Sequence, residues 1–424
     1  MKDRKVLVIG SGGRCHAIVD ALSRSPRVEK IYCAPGNAGI ASQAECVAIG
    51  VEDVKALADF ASDNDIHLTI VGPEASLCAG LVDEFEKRGL KAFGPCKSAA
   101  RIESSKEFAK QLMEKYGVPT ASYRPFTDFD QALAYVKSRP LPAVIKYDGL
   151  AAGKGVVVAA SYEEAEAALR SMLLEGSFGG DRVIVEDFLE GPEFSFMCLV
   201  NGTKVYPLAI AQDHKRAFDG DRGPNTGGMG AYSPVAFVTP DIERTALDSI
   251  IRPVAEGMVS EGVPFKGVLY GGLILTTDGP KVIEFNARFG DPETEVVLPR
   301  LESDFYSLIE AVTEGSDFDT AWSDDACIGV VLAADGYPGS CKKGMPLEGL
   351  DNCGCKVYHM GTAGSADTAL RSAGGRVLMT VARDRDINKA RAAANRATEA
   401  IAAASEAAGG AYFFRRDIGK AIDM

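Results

Sequence analysis

The sequence predicts a multidomain protein of mixed α/β and α+β class. An N-terminal parallel-sheet lobe should precede a two-lobed middle region and a small C-terminal mixed lobe. Up to about residue 95, apolar β-branched runs alternate with helix-like segments, and each run ends in glycine or proline. After about residue 120 the pattern changes to strands that flank a helix. Alternation of the first kind is typical of βαβ units.

The strands of the first lobe are predicted from apolar runs that end in glycine or proline. The predicted strands cover residues 6–9, 31–33, 68–71 and 91–93. The runs end at Gly10, Gly36, Gly72 and Gly94 or at the prolines beside them. Open parallel sheets place their ligand-binding loops at such strand ends. The lobe is therefore predicted to bind a ligand.

Breaks in the pattern give three domains. The N-terminal domain is predicted over residues 1–103, a second domain over 104–320 with a small lid lobe at about 121–188, and a C-terminal domain over 325–424. A helix should open near Ser104 and end near Tyr116, because Gly117 and Pro119 break it. The last hundred residues contain three apolar runs and an alanine-rich helix-like stretch over 387–404. They are predicted to form a covering lobe.

Composition excludes several classes of function. The chain has 424 residues, 25% charged residues and a formal net charge of -13. A mildly acidic surface gives no general attraction to nucleic acid or anionic membranes. No apolar run approaches a membrane span, and no signal-like segment follows Lys2. Ten scattered cysteines without a CxxC pair argue against a disulfide framework or a zinc site. We expect a cytoplasmic protein without nucleic-acid or membrane partners.

Two glycine-rich segments are candidate phosphate loops. Residues 10–14 (GSGGR) follow a strand, as in dinucleotide-binding folds, but Cys15 stands at the sixth fingerprint position and no acidic residue ends the second strand. A phosphate-bearing sugar therefore suits this loop better than NAD. Residues 149–155 (GLAAGKG) lack Walker spacing. Between two strand-like runs they predict a hairpin that closes over a triphosphate, although a structural turn would have the same composition.

A polar strand predicts the metal site. Over residues 281–288, a two-residue period puts Val282, Glu284, Asn286 and Arg288 on one face. A carboxylate and an amide oxygen two residues apart suit Mg²⁺, which takes few protein ligands beside waters and substrate phosphates. Arg288 could grip a carboxylate or a phosphoryl group. A solvated edge strand is the alternative interpretation.

A charged cluster precedes a further glycine-rich loop. Asp213, His214 and Lys215 come shortly before residues 223–230 (GPNTGGMG). Such loops permit close backbone approach to a ligand. Asp213 could bind a substrate ammonium group, and His214 alone is more often a packed histidine than a catalyst. A charged turn would explain the cluster almost as well.

Taken in order, these segments resemble the glycinamide ribonucleotide synthetase family of ATP-grasp ligases over nearly the whole chain. The most specific segment is residues 284–293 (EFNARFGDPE). The other matching segments are residues 10–14 (GSGGR), 35–39 (PGNAG), 71–74 (VGPE), 103–106 (ESSK), 148–156 (DGLAAGKGV), 212–215 (QDHK), 225–230 (NTGGMG) and 336–339 (GYPG). The chain departs from the family at Cys15, where glutamate is usual, and at Tyr147 and Ala334.

The resemblance implies a preATP-grasp N-terminal lobe, a two-lobed ATP-grasp fold and a role for most candidate residues. Residues implied to bind ATP are Lys106, Lys146, Gly153, Lys154, Gly155, Glu186, Phe188, Leu189 and Glu193. Residues implied to surround glycine and 5-phosphoribosylamine are Gly12, Asn37, Glu74, Asp213, Lys215, Arg288 and Gly290. Among these, Arg288, Asp213 and Lys215 are the implied catalytic residues. Glu284 and Asn286 are implied to hold Mg²⁺ or Mn²⁺.

The implied reaction joins glycine to 5-phosphoribosylamine with ATP, through glycyl phosphate, in purine biosynthesis. Another ATP-grasp ligase that uses formate or bicarbonate is an alternative, although Tyr270 stands where a carboxylase would need an acidic metal ligand. A nucleotide-binding module without catalysis is an alternative of another class. We expect a monomer.

Overall fold

The N-terminal hundred residues fold around a parallel sheet, as the alternation predicted. The computed structural model describes residues 3–151, 155–365 and 368–420. The strands are β1 (Arg4–Gly10), β2 (Val28–Pro35), β3 (Glu45–Cys46), β4 (Leu68–Val71) and β5 (Ala92–Phe93). The helices are α1 (Gly13–Ser23), α2 (Val54–Asp63), α3 (Glu74–Ala79), α4 (Leu81–Lys87) and α5 (Arg101–Ser104). The sheet order is β3-β2-β1-β4-β5 and every pairing is parallel.

The carboxyl ends of β1, β2 and β4 bring three glycine-rich turns together. The backbone N–H of Gly36 donates to the Gly10 carbonyl at 3.1 Å, and that of Gly72 donates to the Ile9 carbonyl at 3.0 Å. Gly10 has φ +128°, and a Cβ there would lie 2.4 Å from Cys15 Sγ. This backbone conformation and the close contact both require glycine. The predicted ligand loops therefore line one edge of the sheet.

The lid lobe is a four-stranded antiparallel sheet with two helices. Helix α6 (Lys106–Lys115) leads into it, and its elements are β6 (Tyr123–Phe126), α7 (Phe129–Lys137), β7 (Ala143–Tyr147), β8 (Val156–Ala159), α8 (Tyr162–Leu169) and β9 (Val183–Asp187). A π-helical turn over Arg170–Leu174 extends α8. The sheet order is β6-β9-β7-β8. The β7–β8 pair is the predicted hairpin, and Gly153 and Lys154 lie outside the described residues.

Alternation along the lid strands separates a packed face from a polar one. Ala143, Ile145 and Tyr147 belong to the lid's apolar core. Since successive side chains of a strand point to opposite faces, Lys146 and Glu186 lie on the other face. Lys146 Nζ reaches the backbone carbonyl of Ile283 at 2.9 Å, in the neighbouring lobe. The polar face of the lid therefore looks across a cleft.

The large lobe supplies the opposite wall of the cleft. Its strands are β10 (Glu193–Asn201), β11 (Lys204–Pro207), β12 (Gln212–Asp213), β13 (Arg216–Phe218), β14 (Arg222–Asn225), β15 (Gly230–Ser233), β16 (Lys266–Thr276) and β17 (Gly279–Asn286). Its helices are α9 (Pro240–Ala246), α10 (Arg252–Ser260), α11 (Thr294–Val297) and α12 (Phe305–Glu314). The main sheet has the order β11-β10-β16-β17.

A bulge in β17 corrects one prediction. The pairing with β16 shifts so that Glu284 faces Gly272 while Val282 faces Leu273. Because Gly272 and Leu273 are consecutive, Val282 and Glu284 point to opposite faces, and the prediction of a shared face was wrong. Val282 packs instead in the core with Phe285. The extra residue frees the Ile283 carbonyl for Lys146.

The C-terminal segment shares a sheet with the middle region. Its elements are β18 (Ala326–Ala334), β19 (Lys356–His359), β20 (Thr362–Ser365), β21 (Thr368–Ser372), β22 (Arg376–Asp384), α13 (Ile387–Ala407) and β23 (Tyr412–Phe413). The order β12-β15-β18-β22-β19 joins strands from both regions. The small residues on the buried side of α13 let it pack closely on β18 and β22. None of the helices in the described part of the chain is both long and apolar enough to cross a membrane.

Candidate active site

Glu284 is subject to the charges of four cationic side chains. Burial would raise the pKa of Glu284, but the charges of Lys215, Lys146, Lys106 and Arg288 outweigh it and hold the pKa below its usual value. These cations come from α6, β7 and the segments after β12 and β17. Residues from both walls of the cleft therefore converge on one carboxylate. The carboxylate suits a metal ion, and the positive side chains around it suit a polyphosphate.

Lys106 connects the start of α6 to the lid hairpin. Its Nζ donates to the Gly149 carbonyl at 3.0 Å, and its backbone N–H donates to Asp148 Oδ1 at 2.5 Å. Burial lowers the pKa of Lys106. Ser105 caps α6 by accepting from the backbone N–H of Phe108 at 3.2 Å. The lysine therefore sits where the glycine-rich hairpin leaves the lid sheet.

Glu186 on β9 binds two lysines through one oxygen. Its Oε2 lies 3.0 Å from Lys146 Nζ and 3.0 Å from Lys110 Nζ. All three residues are at most 5% exposed. The other oxygen, Oε1, is buried and has no hydrogen-bond partner among the described residues. Phe188, two residues on, is 45% exposed. The predicted nucleobase segment thus offers a buried acceptor beside an exposed aromatic ring.

Arg288 is fixed by carboxylates from the N-terminal segment. Its Nη2 lies 3.1 Å from Glu103 Oε1 and donates to Asn286 Oδ1 at 3.0 Å. Its Nε lies 3.6 Å from Glu74 Oε2. Arg14 Nη2 is 3.7 Å from the same Glu74 oxygen. The predicted substrate residues Glu74 and Arg288 are therefore in one network.

Asp213 and Lys215 form a second charged group with Glu193. Lys215 Nζ bonds Glu193 Oε2 at 2.6 Å. Burial raises the pKa of Asp213 to about 7; Lys215 opposes this rise, while Glu293 and Glu193 add to it. Glu293 is itself held by Tyr270 and Ser195, at 2.5 and 2.9 Å. Hence the residue predicted for the ribose, Glu193, lies beside two residues predicted for substrate.

A junction of three domains lies next to Gly290. The Asp291 carboxylate accepts from the backbone N–H of Arg14 at 3.2 Å and pairs with Arg376 Nη2 at 2.9 Å. Burial alone would raise the pKa of Asp291, but Arg376 and Arg14 hold it below its usual range. Arg376 Nη1 also donates to the Gly227 carbonyl at 2.8 Å. The C-terminal domain thereby positions the glycine-rich loop of the middle domain.

Two predicted substrate residues have structural contacts that the sequence does not reveal. Asn37 Nδ2 donates to the carbonyls of Ser11 and His359 at 2.7 and 2.9 Å, so it ties the ligand loop to the C-terminal domain. Gly12 is the N-cap of α1, and a Cβ there would lie 3.3 Å from Asp291 Oδ2. The Asp291 carboxylate thus lies at the N-terminal end of α1, next to the loop that was predicted to bind a phosphate-bearing sugar.

Cys15 is inert in this environment. It is 2% exposed, and its Sγ contacts the Ile9 carbonyl at 3.5 Å. Burial raises the pKa of the Cys15 thiol to about 12. His214 is also buried, and burial together with the charge of Arg415 lowers its pKa to about 4. It is thus a packed histidine rather than a proton donor at neutral pH.

Sequence reasoning missed four residues of this region as site residues: Lys110, Glu103, Asp291 and Arg376. Glu103 and Asp291 lie inside matching motifs, so they could have been found there. Lys110 follows Lys106 by four residues, which puts both on one face of α6. Arg376 is isolated in the sequence and carries no such signal.

Comparison with known proteins assigns the family. Models of the phosphoribosylglycinamide synthetase N domain, ATP-grasp (A) domain and C domain match residues 4–103, 104–294 and 327–421. The chain belongs to this family. A phosphoribosylamine–glycine ligase from Listeria innocua is 55% identical over 380 residues, which cover 88% of this chain and 90% of the relative. Its counterpart from Halalkalibacterium halodurans is 50% identical and covers 98% and 97%.

Solved structures agree with the family assignment. The phosphoribosylamine–glycine ligase of Thermotoga maritima has a TM-score of 0.84 and 32% identity, and the match covers 98% of this chain and all of that one. A biotin carboxylase from Campylobacter jejuni, with a TM-score of 0.68 and 15% identity, covers 92% and 89% and shows the fold alone. The predicted ATP-grasp fold with an N-terminal parallel sheet is confirmed. The family match and the close relatives identify the chain as an ATP-dependent ligase.

Proposed function

We propose that this phosphoribosylglycinamide synthetase joins glycine to 5-phosphoribosylamine in purine biosynthesis, giving glycinamide ribonucleotide, ADP and phosphate. Family membership supports the substrates. The observation that carries the mechanism is the convergence of Lys106, Lys146, Lys215 and Arg288 on Glu284. Such a cluster can hold a triphosphate against a small carboxylate.

We assign residues of the cleft to each part of ATP. Glu186, Phe188 and Leu189 would receive the nucleobase, and Glu193 the ribose. Lys106 and Lys146 would contact the phosphates, with Gly153, Lys154 and Gly155 of the hairpin closing above them. Lys146 has two hydrogen bonds to other described residues and so keeps one N–H for the nucleotide.

The residues of β17 fit a Mg²⁺ or Mn²⁺ ion. Glu284 and Asn286 lie two residues apart on one face, beyond the bulge. Glu284 is held as a carboxylate by its cationic neighbours, and two oxygen ligands are enough for an ion that also binds phosphates and waters. When bound, the ion would neutralise charge that develops on the phosphates.

The chemistry activates a carboxylate that is otherwise a poor acyl donor. A glycine carboxylate oxygen attacks the γ-phosphorus of ATP, the bond to the bridging oxygen breaks, and ADP leaves. The amine of 5-phosphoribosylamine then attacks the carbonyl carbon of glycyl phosphate; phosphate departs with the bond electrons and the amine loses a proton. Arg288 and Lys215 would stabilise the transferring phosphoryl group, while Asp213 would attract the glycine ammonium group. Gly12, Asn37, Glu74 and Gly290 would line the amine side.

Water must be excluded, because it hydrolyses acyl phosphates. Lys106, at the start of α6, donates to the Gly149 carbonyl near the start of the hairpin between β7 and β8. Closure over the bound nucleotide would remove solvent from the reacting atoms. The side chains named here need only bind and orient the reactants, and none has to act as a nucleophile.

A substrate panel tests this proposal. ADP release would be measured with 5-phosphoribosylamine and either glycine, formate or bicarbonate. We expect release with glycine alone among the three, and loss of at least about a hundredfold in Glu284→Gln. The matched control Glu86→Gln changes a surface residue paired with Lys266 and should keep full activity. Release with formate or bicarbonate would favour another ligase, and ATP binding without amine-dependent release would indicate a module that lacks catalysis.

A further inference from the structure

Lys110 is a buried lysine for which the proposed chemistry has no use. It lies on α6 and is 2% exposed. Its Nζ donates to Thr120 Oγ1 at 2.8 Å and to the Ala121 carbonyl at 3.3 Å, and it pairs with Glu186 Oε2 at 3.0 Å. An ammonium group has three N–H donors. Lys110 has therefore no donor left for a ligand and acts on its protein neighbours.

The neighbour that matters is Glu186. Its Oε2 takes both lysines, and its Oε1 is left buried without a partner in the described part of the chain. A buried carboxylate oxygen without a donor is costly unless a ligand supplies one. Glu186 lies on the polar face of the lid sheet, the face that looks across the cleft. A carboxylate accepts hydrogen bonds and cannot donate them.

We propose that Lys110 is a positioning residue that sets the preference for a purine nucleotide with a 6-amino group, by holding Glu186 so that Oε1 stays a fixed acceptor. A 6-amino purine donates to this oxygen, whereas a 6-oxo purine presents a second acceptor and is repelled. Thr120 and the Ala121 carbonyl fix Lys110 in turn. This inference rests on the proposed use of ATP.

The effect of removing Lys110 follows from the charges. Only Lys146 would then pair with Glu186, and Lys146 is also proposed to contact the phosphates of the nucleotide. The carboxylate would then turn toward Lys146, and Oε1 would no longer be a fixed acceptor. Affinity for the 6-amino purine nucleotide should therefore fall more than affinity for the 6-oxo purine nucleotide. A purely structural loss would weaken both nucleotides equally.

Calorimetric binding of ADP and IDP to the full chain tests the proposal independently of ligation. We expect the wild type to bind ADP more tightly than IDP, and Lys110→Met to reduce the ratio of the two affinities by about tenfold or more, as expected for one hydrogen bond to a charged group. Lys115→Met, an exposed lysine on the same helix paired with Glu261, is the matched control and should keep the ratio. Lys110→Gln, which can still bond Thr120, serves as the second variant if Lys110→Met does not fold.

Several outcomes would overturn the proposal. They are a folded Lys110 variant with an unchanged affinity ratio, an equal loss for both nucleotides, and a wild type that binds ADP and IDP alike. Selective ADP binding that depends on Lys110, in a protein that fails to ligate glycine, would refute the proposed reaction and leave this inference standing. The two failures are thus distinguishable.

Discussion

Replacing Glu103 by glutamine should weaken both the fold and glycine use. Each carboxylate oxygen of Glu103 has its own partner: Oε1 lies 3.1 Å from Arg288 Nη2, and Oε2 accepts from the backbone N–H of Ala287 at 2.7 Å. An amide has only one acceptor oxygen, so Glu103→Gln must place an N–H against one of the two donors. Glu103 is buried, and this burial raises its pKa.

The magnitude follows from the contacts that remain. Removing one partner of a buried ion pair costs about 3–5 kcal/mol. Arg288 keeps its hydrogen bond to Asn286 and its ion pair with Glu74, which reduce the cost to about 2–4 kcal/mol. Urea unfolding would measure the loss. Because Arg288 is expected to bind the reacting groups, kcat/KM for glycine should fall about tenfold to a hundredfold, or about 1.4–2.7 kcal/mol in activation free energy.

The control for Glu103→Gln is the same substitution at an exposed site. Glu86 pairs with Lys266 on the surface at 2.6 Å, and such pairs contribute about 0–1 kcal/mol. Glu86→Gln should leave stability and kinetics nearly unchanged. A Glu103→Gln variant with the stability and the kcat/KM of the wild type would refute the view that this carboxylate holds Arg288.

Three further predictions concern protonation and the domain junction. Burial lowers the pKa of His16 from 6.5 to about 3. Folding therefore favours the neutral imidazole, and the stability that is fully present above pH 6.5 is lost as the pH falls below that value. In urea unfolding, His16→Gln should lose about 2 kcal/mol less than wild type between about pH 7.5 and pH 5. For Asp213, glycine KM should rise as pH falls through about 7, and Asp213→Asn should flatten that steady-state profile. Arg376→Gln should raise the KM for 5-phosphoribosylamine about tenfold in initial-rate assays and leave that for ATP nearly unchanged.

Each of these predictions has its own check. The backbone N–H of His359 donates to His16 Nδ1 at 2.9 Å, so a His16 imidazole that NMR shows protonated at about pH 5 would contradict the first. A pH-independent glycine KM in the wild type would contradict the second. Arg371→Gln is the control for Arg376, because it alters an exposed arginine of the same domain, and equal effects of the two substitutions would count against the junction.

Hydrophobic patterns in the sequence predicted the strands and helices whose formation depends on neighbouring residues. The run over residues 6–9 is a central strand because burial on both faces demands unbroken apolar residues, and the 387–404 stretch became α13, with the same first residue. The two-residue period of β17 failed at Ile283, where a bulge shifts the register. A bulge depends on contacts with β16 and Lys146, which the local sequence does not contain.

The residues of the candidate site also divide into those that the sequence predicts and those that only tertiary contacts reveal. Resemblance to a family predicts roles for Glu284, Lys106, Lys146 and Arg288 from the sequence alone, and the charges of the three cations act on Glu284 in the structure. It could not assign a role to Arg376, whose partner Asp291 lies 85 residues away in the chain. Such residues act by tertiary contact, so their role depends on the assembled domains.

Isotope transfer from glycine tests the central claim most directly. Glycine labelled with ¹⁸O in its carboxylate would be turned over with ATP and 5-phosphoribosylamine, and the phosphate released would be analysed by mass spectrometry. If the cleft phosphorylates the glycine carboxylate, each phosphate carries one labelled oxygen, because the carboxylate oxygen that attacked the phosphorus leaves with it. Unlabelled phosphate alongside glycinamide ribonucleotide would contradict the account.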